Sequence, residues 1–250
     1  LGNDIEAEEM LLKVIQLEPG YWKNYLALGD FLFASGKYNS ATKEYARVTL
    51  LKPDDEQGFN RLGASLYLDD QLDKASIAWS RSLEIQPNAN NYSNLGTAQF
   101  FRHQFEAAII NYKNALKLKP ADPVLWANLG DAQKFSHGTE EAQKSYLRAF
   151  GLAKEQLLVN PHDHDIQSML ARYQSELGDC IRANSIITKL KTKEISDPYL
   201  FYDFSIVALN CNDLSQAKVD MGKAISLGYS EKLLARDIMF SAIYSQGNLH

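Results

Sequence analysis

The 250-residue sequence contains only two cysteines, no long apolar run and no excess of positive charge. Two cysteines cannot build the disulfide framework that supports a small secreted domain. The best apolar segment, residues 204–212, is far shorter than the roughly 20 residues that span a bilayer. Lys and Arg total 26 against 31 Asp and Glu, whereas nucleic-acid binders present a basic surface to phosphates. We therefore expect no direct membrane contact and no nucleic-acid partner.

Targeting and catalytic motifs are also missing from the sequence. Asp4, Glu6 and Glu8 stand where a secretory signal has a basic segment followed by an apolar one. No Ser-His-Asp order, phosphate-binding loop or zinc-protease motif occurs. The sequence therefore predicts a chain without catalytic activity.

One short segment, His162-Asp163-His164-Asp165, has the residue types of a metal site. Imidazole and carboxylate groups at alternate positions can chelate zinc or nickel. However, no distant cysteine or histidine completes four ligands, and an aspartate at a helix start caps free backbone amides. We therefore expect a helix start at Asp163 or Asp165, no metal and no cofactor.

The dominant feature is a repeat in which four classes of residue recur every 33 or 34 positions. The recurring residues are prolines (Pro19, Pro53, Pro87, Pro120), glycines (Gly29, Gly63, Gly96, Gly130), alanines (Ala7, Ala41, Ala75, Ala108, Ala142) and aromatics (Tyr45, Trp79, Tyr112, Tyr146). Four independent classes do not share one period by chance. The chain is therefore predicted to be an array of similar structural units.

Each recurring residue has a physical role in a pair of helices. A glycine inside a helix costs about 1 kcal/mol, which close approach of a neighbouring helix must offset. The alanine allows a second helix to make that approach, and the aromatic one turn later is expected to fill the space between units. The proline ends the second helix because it lacks an amide donor.

The residues of two consecutive units resemble the motif of the tetratricopeptide repeat family. The two units read Phe59, Leu62, Gly63, Leu66, Ala75, Trp79, Ser82, Pro87 and then Tyr92, Leu95, Gly96, Gln99, Ala108, Tyr112, Ala115, Pro120. The resemblance is strong over residues 22–153. It implies an all-α fold, a right-handed solenoid of about six full repeats with a half-repeat before them and a capping helix after them.

The predicted domain organisation is a single array over residues 1–250. It comprises a half-repeat (1–21), six repeats (22–55, 56–88, 89–122, 123–163, 164–197 and 198–229) and a capping helix with a tail (230–250). Because Pro161 follows Pro120 by 41 residues, we expect a longer second helix in the fourth repeat. The missing first helix of the half-repeat indicates that Leu1 is a boundary inside a longer protein.

The tail of the array carries a second resemblance. Ala224 to Tyr229, followed by Leu233, Leu234 and Phe240, is similar to the end of tetratricopeptide segments in bacterial signalling proteins, including membrane-anchored regulators and Ser/Thr kinases. This resemblance implies an attached sensory or scaffolding module. It favours a location outside the cytoplasmic membrane only slightly over the cytoplasm.

The family resemblance also implies where a partner binds, because first helices line the concave face of the array. Asn94 and Asn128 occupy the same position in consecutive units and resemble the asparagine ladder with which some members hold a peptide backbone, since an amide offers both a donor and an acceptor. The other candidate groove residues are Arg61, Asp30, Asp131, Tyr67, Phe100, Phe101, Phe135 and Arg172. Two alternatives stay open: asparagine is common on exposed helix faces, and several of the aromatics can pack between first helices.

The two cysteines, Cys180 and Cys211, fall at the helix–helix turns of neighbouring units on the same edge of the array. A disulfide between them is conceivable in an oxidising compartment. Two free, half-buried thiols are the favoured alternative.

These observations predict a protein-interaction scaffold that binds a peptide or a partner helix in its groove, as a segment of a larger bacterial regulatory protein. One rival is an assembly module that forms a homodimer through the half-repeat, with an open apolar face near Leu11, Ile15 and Trp22. Another rival is the non-catalytic region of a larger enzyme, such as a glycosyltransferase or a kinase. A ligand-binding sensor would need a closed pocket, which an open solenoid rarely has.

Overall fold

The computed structural model describes residues 2–244, and the side chains from Ile5 onward. Within that range every regular element is a helix, so the predicted all-α fold is confirmed. The helices are α1 Gly2–Leu17, α2 Trp22–Ala34, α3 Tyr38–Leu51, α4 Glu56–Leu68, α5 Leu72–Ile85, α6 Ala89–Phe101, α7 Phe105–Leu118, α8 Pro123–Phe135, α9 Thr139–Val159, α10 His164–Glu176, α11 Cys180–Leu190, α12 Pro198–Asn210, α13 Leu214–Ser226, α14 Glu231–Arg236 and α15 Ser241–Tyr244. No helix of residues 2–244 is long and apolar enough to cross a membrane.

The chain divides into two compact units. Unit 1 comprises α1–α6, up to Arg102, and unit 2 comprises α7–α15, from His103 onward. In unit 1, the second helices α3 and α5 each pack between two first helices, α2 with α4 and α4 with α6. In unit 2, α9 packs between α8 and α10, and α11 between α10 and α12.

Polar caps fix where the helices begin. An aspartate or asparagine side chain accepts a hydrogen bond from a backbone amide in the first turn of most first helices, at Asp55, Asn88, Asp122, Asp163 and Asp197. Such a cap satisfies an amide that has no partner within the helix. Asp163 is therefore a helix cap, as predicted for the His-Asp segment.

The turns between paired helices need a left-handed residue. The backbone has positive φ at Gly36, Asp70, His103, His137, Gly178 and Asn212. This conformation closes the first helix within one residue and reverses the chain. The second helix therefore folds directly back onto the first.

The glycine–aromatic pattern is explained by contact within a unit. A Cβ atom on Gly63 would lie 2.6 Å from Nε1 of Trp79, and one on Gly130 would lie 2.8 Å from Cε1 of Tyr146. The aromatic ring thus lies directly on the glycine of its own first helix. Trp79 also belongs to a buried cluster with Leu95 and Ala98 of the following helix pair, so the ring contributes to the packing between units as expected.

Gly130→Ala is expected to lower the free energy of unfolding by about 1–3 kcal/mol, because the new methyl group forces the buried Tyr146 ring to move. Gly151→Ala is the matched control, since a Cβ on this helical glycine of α9 meets no atom within 4 Å. The control is expected to stabilise the chain by up to about 1 kcal/mol. Urea unfolding followed by circular dichroism measures both. Equal effects of the two substitutions would refute the close-approach argument.

The longer second helix predicted from the late proline is present. Helix α9 has 21 residues, whereas α3, α5 and α7 have 14 each. Seven further residues add about two turns, so the buried face of α9 stays in phase and reaches the core with Ala149 and Ala153.

The C-terminal segment differs from the single capping helix that was predicted. It consists of the short α14, a 3-10 turn over Ile238–Phe240 and the short α15. Asp237 interrupts the helix with an extended backbone (φ −72°, ψ 114°), and its carboxylate caps the 3-10 turn through the amide of Met239. Residues 245–250 of the predicted tail lie outside the described residues.

Cys180 and Cys211 form a disulfide, with their Cα atoms 5.6 Å apart. The favoured prediction of two free thiols is therefore wrong. The bond joins the start of α11 to the end of α12, where each helix meets its turn. Comparable lateral pairs occur at this turn edge within both units: Asn39 with Asp69, Asp73 with Arg102 and Phe105 with Phe135.

Candidate functional site

In unit 1, side chains of four helices surround an open pocket of about 380 Å³. The pocket is lined by Asp30, Phe33, Tyr45, Asn60, Arg61, Ala64 and Asn94. All but Tyr45 are on the first helices α2, α4 and α6. The structure thus brings together three of the predicted groove residues, Asp30, Arg61 and Asn94.

A charged pair forms one side of this pocket. The Nη1 group of Arg61 donates to Oδ1 of Asp30 at 2.5 Å, and the hydroxyl of Tyr45 donates to the same oxygen at 2.7 Å. Burial of the Tyr45 ring, together with the Asp30 carboxylate, raises the pKa of the Tyr45 hydroxyl, so this hydroxyl stays protonated. The Arg61 side chain remains 39 % exposed. Its guanidinium is therefore held by Asp30 and still accessible to a ligand.

Amide groups form the other side of the pocket. The Nδ2 group of Asn94 donates to Oδ1 of Asn60 at 3.3 Å, and Nε1 of Trp79 donates to the same oxygen at 3.1 Å. Asn60 was not among the predicted site residues. Its signal in the sequence is the spacing of 34 residues from Asn94, which is the repeat period itself.

Most of the predicted aromatic groove residues of unit 1 lie in the interior. Phe100 and Phe101 are 5 % and 8 % exposed, and their rings contact each other edge to face. The half-buried Tyr67 packs its ring between Phe101 and Trp79. None of these three predicted residues lines the pocket; the aromatic ring that does so beside Tyr45 is Phe33.

In unit 2, the predicted residues Asp131 and Arg172 belong to a buried ion network. Arg172 bridges two carboxylates, with Nη2 2.6 Å from Asp131 Oδ2 and Nη1 3.1 Å from Asp203 Oδ1. The hydroxyl of Tyr146 also donates to Asp131, at 2.8 Å. Burial raises the pKa of Asp131 to about 6, against the opposing effect of Arg172. Sequence reasoning placed both residues on an open groove, whereas the structure buries them.

The remaining predicted residues of unit 2 have different surroundings. Asn128 on α8 is half-buried. The ring of Phe135 stacks on Phe105 at a centroid distance of 5.7 Å. Within residues 2–244 no group of three His, Cys, Asp or Glu side chains is arranged to hold a metal ion.

Unit 1 also has a larger pocket, of about 850 Å³, that the sequence did not predict. Its walls are mostly apolar and include Phe59, Leu62, Leu66, Ile77 and Leu95. Four of the charged residues at its edge form ion pairs, Arg81 with Glu84 and Arg102 with Asp73, and Lys74 donates to the side chain of Gln71. Specific recognition needs polar groups that converge on a ligand, and these are found in the smaller pocket.

The profile of the tetratricopeptide repeat family matches residues 5–66. No curated protein matches the sequence. Among solved structures, a tetratricopeptide repeat protein from Parabacteroides merdae is similar to this chain with 16 % identity and a TM-score of 0.69. The similarity covers 95 % of this chain and 92 % of that protein's chain. MamA is similar over 62 % of this chain and 91 % of its own, with 21 % identity and a TM-score of 0.60.

The Cut9–Hcn1 hetero-tetramer of the APC/C is similar over 94 % of this chain, with 14 % identity and a TM-score of 0.63. This chain spans less than half of that one, 46 % of its length. Proteins of this fold are generally non-catalytic scaffolds that bind protein partners. Residues 5–66 are therefore a tetratricopeptide repeat segment, and the chain has the all-α fold of tetratricopeptide repeat proteins.

Proposed function

We propose that the chain is a scaffold whose unit 1 binds an extended peptide segment of a partner protein in the pocket of Asp30, Arg61 and Asn94. The observation that carries this proposal is the convergence of an accessible guanidinium and two side-chain amides on one open pocket. Each amide offers a donor and an acceptor, which matches the C=O and N–H groups of a peptide backbone.

The geometry favours a peptide that carries a carboxylate. The guanidinium of Arg61 has five N–H donors, and one terminal nitrogen bonds Asp30. Planar guanidinium groups bind carboxylates with two parallel hydrogen bonds. Phe33 adds an apolar wall beside Tyr45, at a ring distance of 6.5 Å. An acidic side chain next to an apolar one therefore fits this pocket.

Arg61→Ala and Asn94→Ala are expected to weaken peptide binding, by about tenfold and fivefold respectively, since each removes hydrogen bonds worth about 1–1.5 kcal/mol. Peptides selected from a random extended library on the immobilised chain provide the probes. Fluorescence anisotropy then gives the dissociation constants for each variant.

Asn184→Ala is the matched control, because Asn184 is exposed on the second helix α11. It is expected to leave binding unchanged. Selected peptides that bind the Arg61→Ala, Asn94→Ala double variant as well as the original chain would refute the pocket proposal.

Assembly through α1 is a second candidate function. Met10, Val14 and Leu17 are exposed along one face of α1, although Leu11 and Ile15, which were predicted to be open, pack against the core of α2. A second copy of the chain can cover this face by a helix-to-helix contact. Light scattering at several concentrations separates the two functions, because only assembly makes the molar mass rise above 28.2 kDa.

The cellular context stays a proposal as well. Disulfides persist mainly in oxidising compartments, so the Cys180–Cys211 bond supports a location outside the cytoplasm. The attachment to a larger bacterial regulatory protein rests on the resemblance of the tail alone.

A further inference from the structure

The segment after α13 crosses the inner face of unit 2. We define this inner face by Asp131 on α8, Arg172 on α10 and Tyr202 on α12, one residue from each consecutive first helix. First helices carry the pocket in unit 1, so the corresponding helices of unit 2 are where a second ligand surface is expected. In unit 2, however, the chain itself covers that surface.

Four contacts hold the segment on the inner face. The hydroxyl of Tyr202 donates to Oδ2 of Asp237 at 2.8 Å, and the ring of Phe240 lies 5.6 Å from the Tyr202 ring. Nη2 of Arg172 is 4.0 Å from Sδ of Met239. At the first residue of unit 2, the ring Nε2 of His103 is 3.2 Å from the carbonyl oxygen of Arg236.

The segment has the form of a bound peptide. Its backbone is extended at Asp237, and the helical pieces on either side of that residue span only Glu231–Arg236, Ile238–Phe240 and Ser241–Tyr244. Asp237 and Phe240 are 1 % and 0 % exposed, so one polar and one aromatic anchor are fully buried. This pairing of an extended backbone with buried anchors is how short peptides dock on helical scaffolds.

Few interactions oppose release of residues 237–244. The preceding helix α14 is anchored by Leu233 and Leu234, which are both buried, and Leu234 shares its core cluster with Phe240 and Ile243. Beyond it, Phe240 and Ile243 are the fully buried apolar anchors. Burying two such side chains contributes about 3–6 kcal/mol, whereas ordering the backbone of eight residues costs about 8–16 kcal/mol, so docking also needs the partly buried Met239 and Tyr244 and the hydrogen bond of Asp237. The segment is therefore poised between a docked and a released state.

The inner face keeps a donor for an acidic ligand. Arg172 uses its two terminal nitrogens on Asp131 and Asp203, while its Nε has no hydrogen-bond partner among the described residues. The guanidinium also lies 5.8 Å from the Tyr202 ring. The Tyr202 hydroxyl, which donates to the Asp237 carboxylate, thus lies on a ring next to this guanidinium.

We propose that the inner face of unit 2 is a second peptide-binding surface and that residues 236–240 occupy it as an internal ligand. The partner that binds there has an acidic residue followed two or three positions later by large apolar side chains. Asp237 with Met239 and Phe240 is the template for that chemistry. A partner of this kind competes with the chain's own segment, so its access depends on release of residues 236–244. This surface is separate from the pocket of unit 1.

The test uses a fluorescein-labelled peptide of residues 237–244 and the full chain. The Asp237→Ala, Phe240→Ala double variant releases the segment while leaving α14 in place. The labelled peptide is expected to bind this variant at least about tenfold more tightly than the original chain, because an internal ligand lowers apparent affinity in proportion to its occupancy. Equal affinities for the two chains would overturn the proposal.

Peptide variants check the recognised chemistry. Asp237→Asn in the peptide is expected to weaken binding about tenfold, whereas Ser241→Ala, at an exposed position, leaves it unchanged. Tyr202→Phe in the released chain is expected to weaken binding by at least about tenfold, which corresponds to the loss of one hydrogen bond to a charged group. Insensitivity to both Asp237→Asn and Tyr202→Phe would contradict the assigned surface.

Arg61→Ala in the released chain separates this proposal from that for unit 1. It is expected to leave binding of the 237–244 peptide unchanged, and a loss of binding would place the peptide in the pocket of unit 1 instead. If circular dichroism shows that the double variant is unfolded, a protease site inserted after the exposed Arg236 allows the segment to be cut from α14 in the folded chain. The labelled peptide must then exchange with the cut fragment, and failure to exchange would overturn the proposal.

Discussion

Replacing Arg172 by methionine is expected to lower the free energy of unfolding by about 3–5 kcal/mol, the usual cost of removing one partner from a buried ion pair. Arg172 is 13 % exposed and neutralises Asp131 and Asp203, whose side chains are 7 % and 16 % exposed. Without the guanidinium, two carboxylates remain buried with no cation between them. Urea unfolding followed by circular dichroism measures the loss.

The loss is expected to shrink as the pH falls. Burial already raises the pKa of Asp131 to about 6 and raises the pKa of Asp203, although Arg172 lowers both. Removing Arg172 raises these pKa values further. The folded state then binds more protons than the unfolded state in the interval above pH 4, so the free energy of unfolding rises on acidification. The difference between the variant and the original chain should therefore be smaller at pH 5 than at pH 7.5.

Arg182→Met is the control for this prediction. Arg182 pairs with Asp179 within one helix turn of α11, and its side chain is 77 % exposed. Exposed pairs contribute less than about 1 kcal/mol, so this variant should unfold almost like the original chain at both pH values. A loss for Arg172→Met as small as that of the control, or one that does not change with pH, would contradict the buried network.

Removing the disulfide with Cys180→Ala, Cys211→Ala is expected to lower the free energy of unfolding by about 3–4 kcal/mol. The bond closes a loop with a sequence separation of 31 residues, and loop-closure entropy of that length corresponds to this magnitude. The expected loss is confined to unit 2, because both cysteines belong to it. Urea unfolding of the oxidised chain and of the variant measures the difference.

Reduction provides the control for the disulfide prediction. A thiol reductant should destabilise the original chain to the level of the double variant and leave the variant itself unchanged. Hydrogen exchange should show faster opening of α11 and α12 in both cases. A reductant that lowers the stability of the variant equally would show that the disulfide is not the cause.

The fold was predictable because its determinants are local and periodic. Gly63 and Trp79 lie in the same pair of helices, and a Cβ on the glycine would collide with the ring. The same contact occurs with the same spacing between Gly29 and Tyr45 and between Gly130 and Tyr146. The late proline after α9 was equally informative, since adding two turns to a helix preserves its buried face.

The candidate site could be predicted only where the position of a residue on a first helix determines whether its side chain is exposed. Asp30, Arg61 and Asn94 meet in the pocket of unit 1, but the same reasoning failed for Asp131 and Arg172. From its position alone, a charged residue on a first helix is predicted to be exposed in the groove, and this prediction is wrong where another segment of the chain packs on it. Here, the covering residues come from the C-terminal segment, for example Met239 beside Arg172, and no repeat period encodes that contact.

The disulfide between Cys180 and Cys211 could not be predicted from the repeat for a different reason. The two turn positions recur in other units, but cysteine occupies them only here, so periodicity does not indicate that these side chains form a bond. Their positions at adjacent turns allow a bond, and the Cα separation of 5.6 Å suits one. Whether two thiols at such a distance are oxidised depends on the redox conditions around the chain.

The disulfide also determines how the chain responds to a pulling force. A solenoid held at its two ends gives way one helix pair after another, because each pair contacts only its neighbours. Helices α11 and α12 lie largely between Cys180 and Cys211, and a force applied through the ends bypasses them through the S–S bond. The 31 residues of sequence separation correspond to about 100 Å of extended chain. Under tension these residues cannot extend until the disulfide is reduced. The redox state of this one bond therefore sets the maximum end-to-end length of the unfolded scaffold.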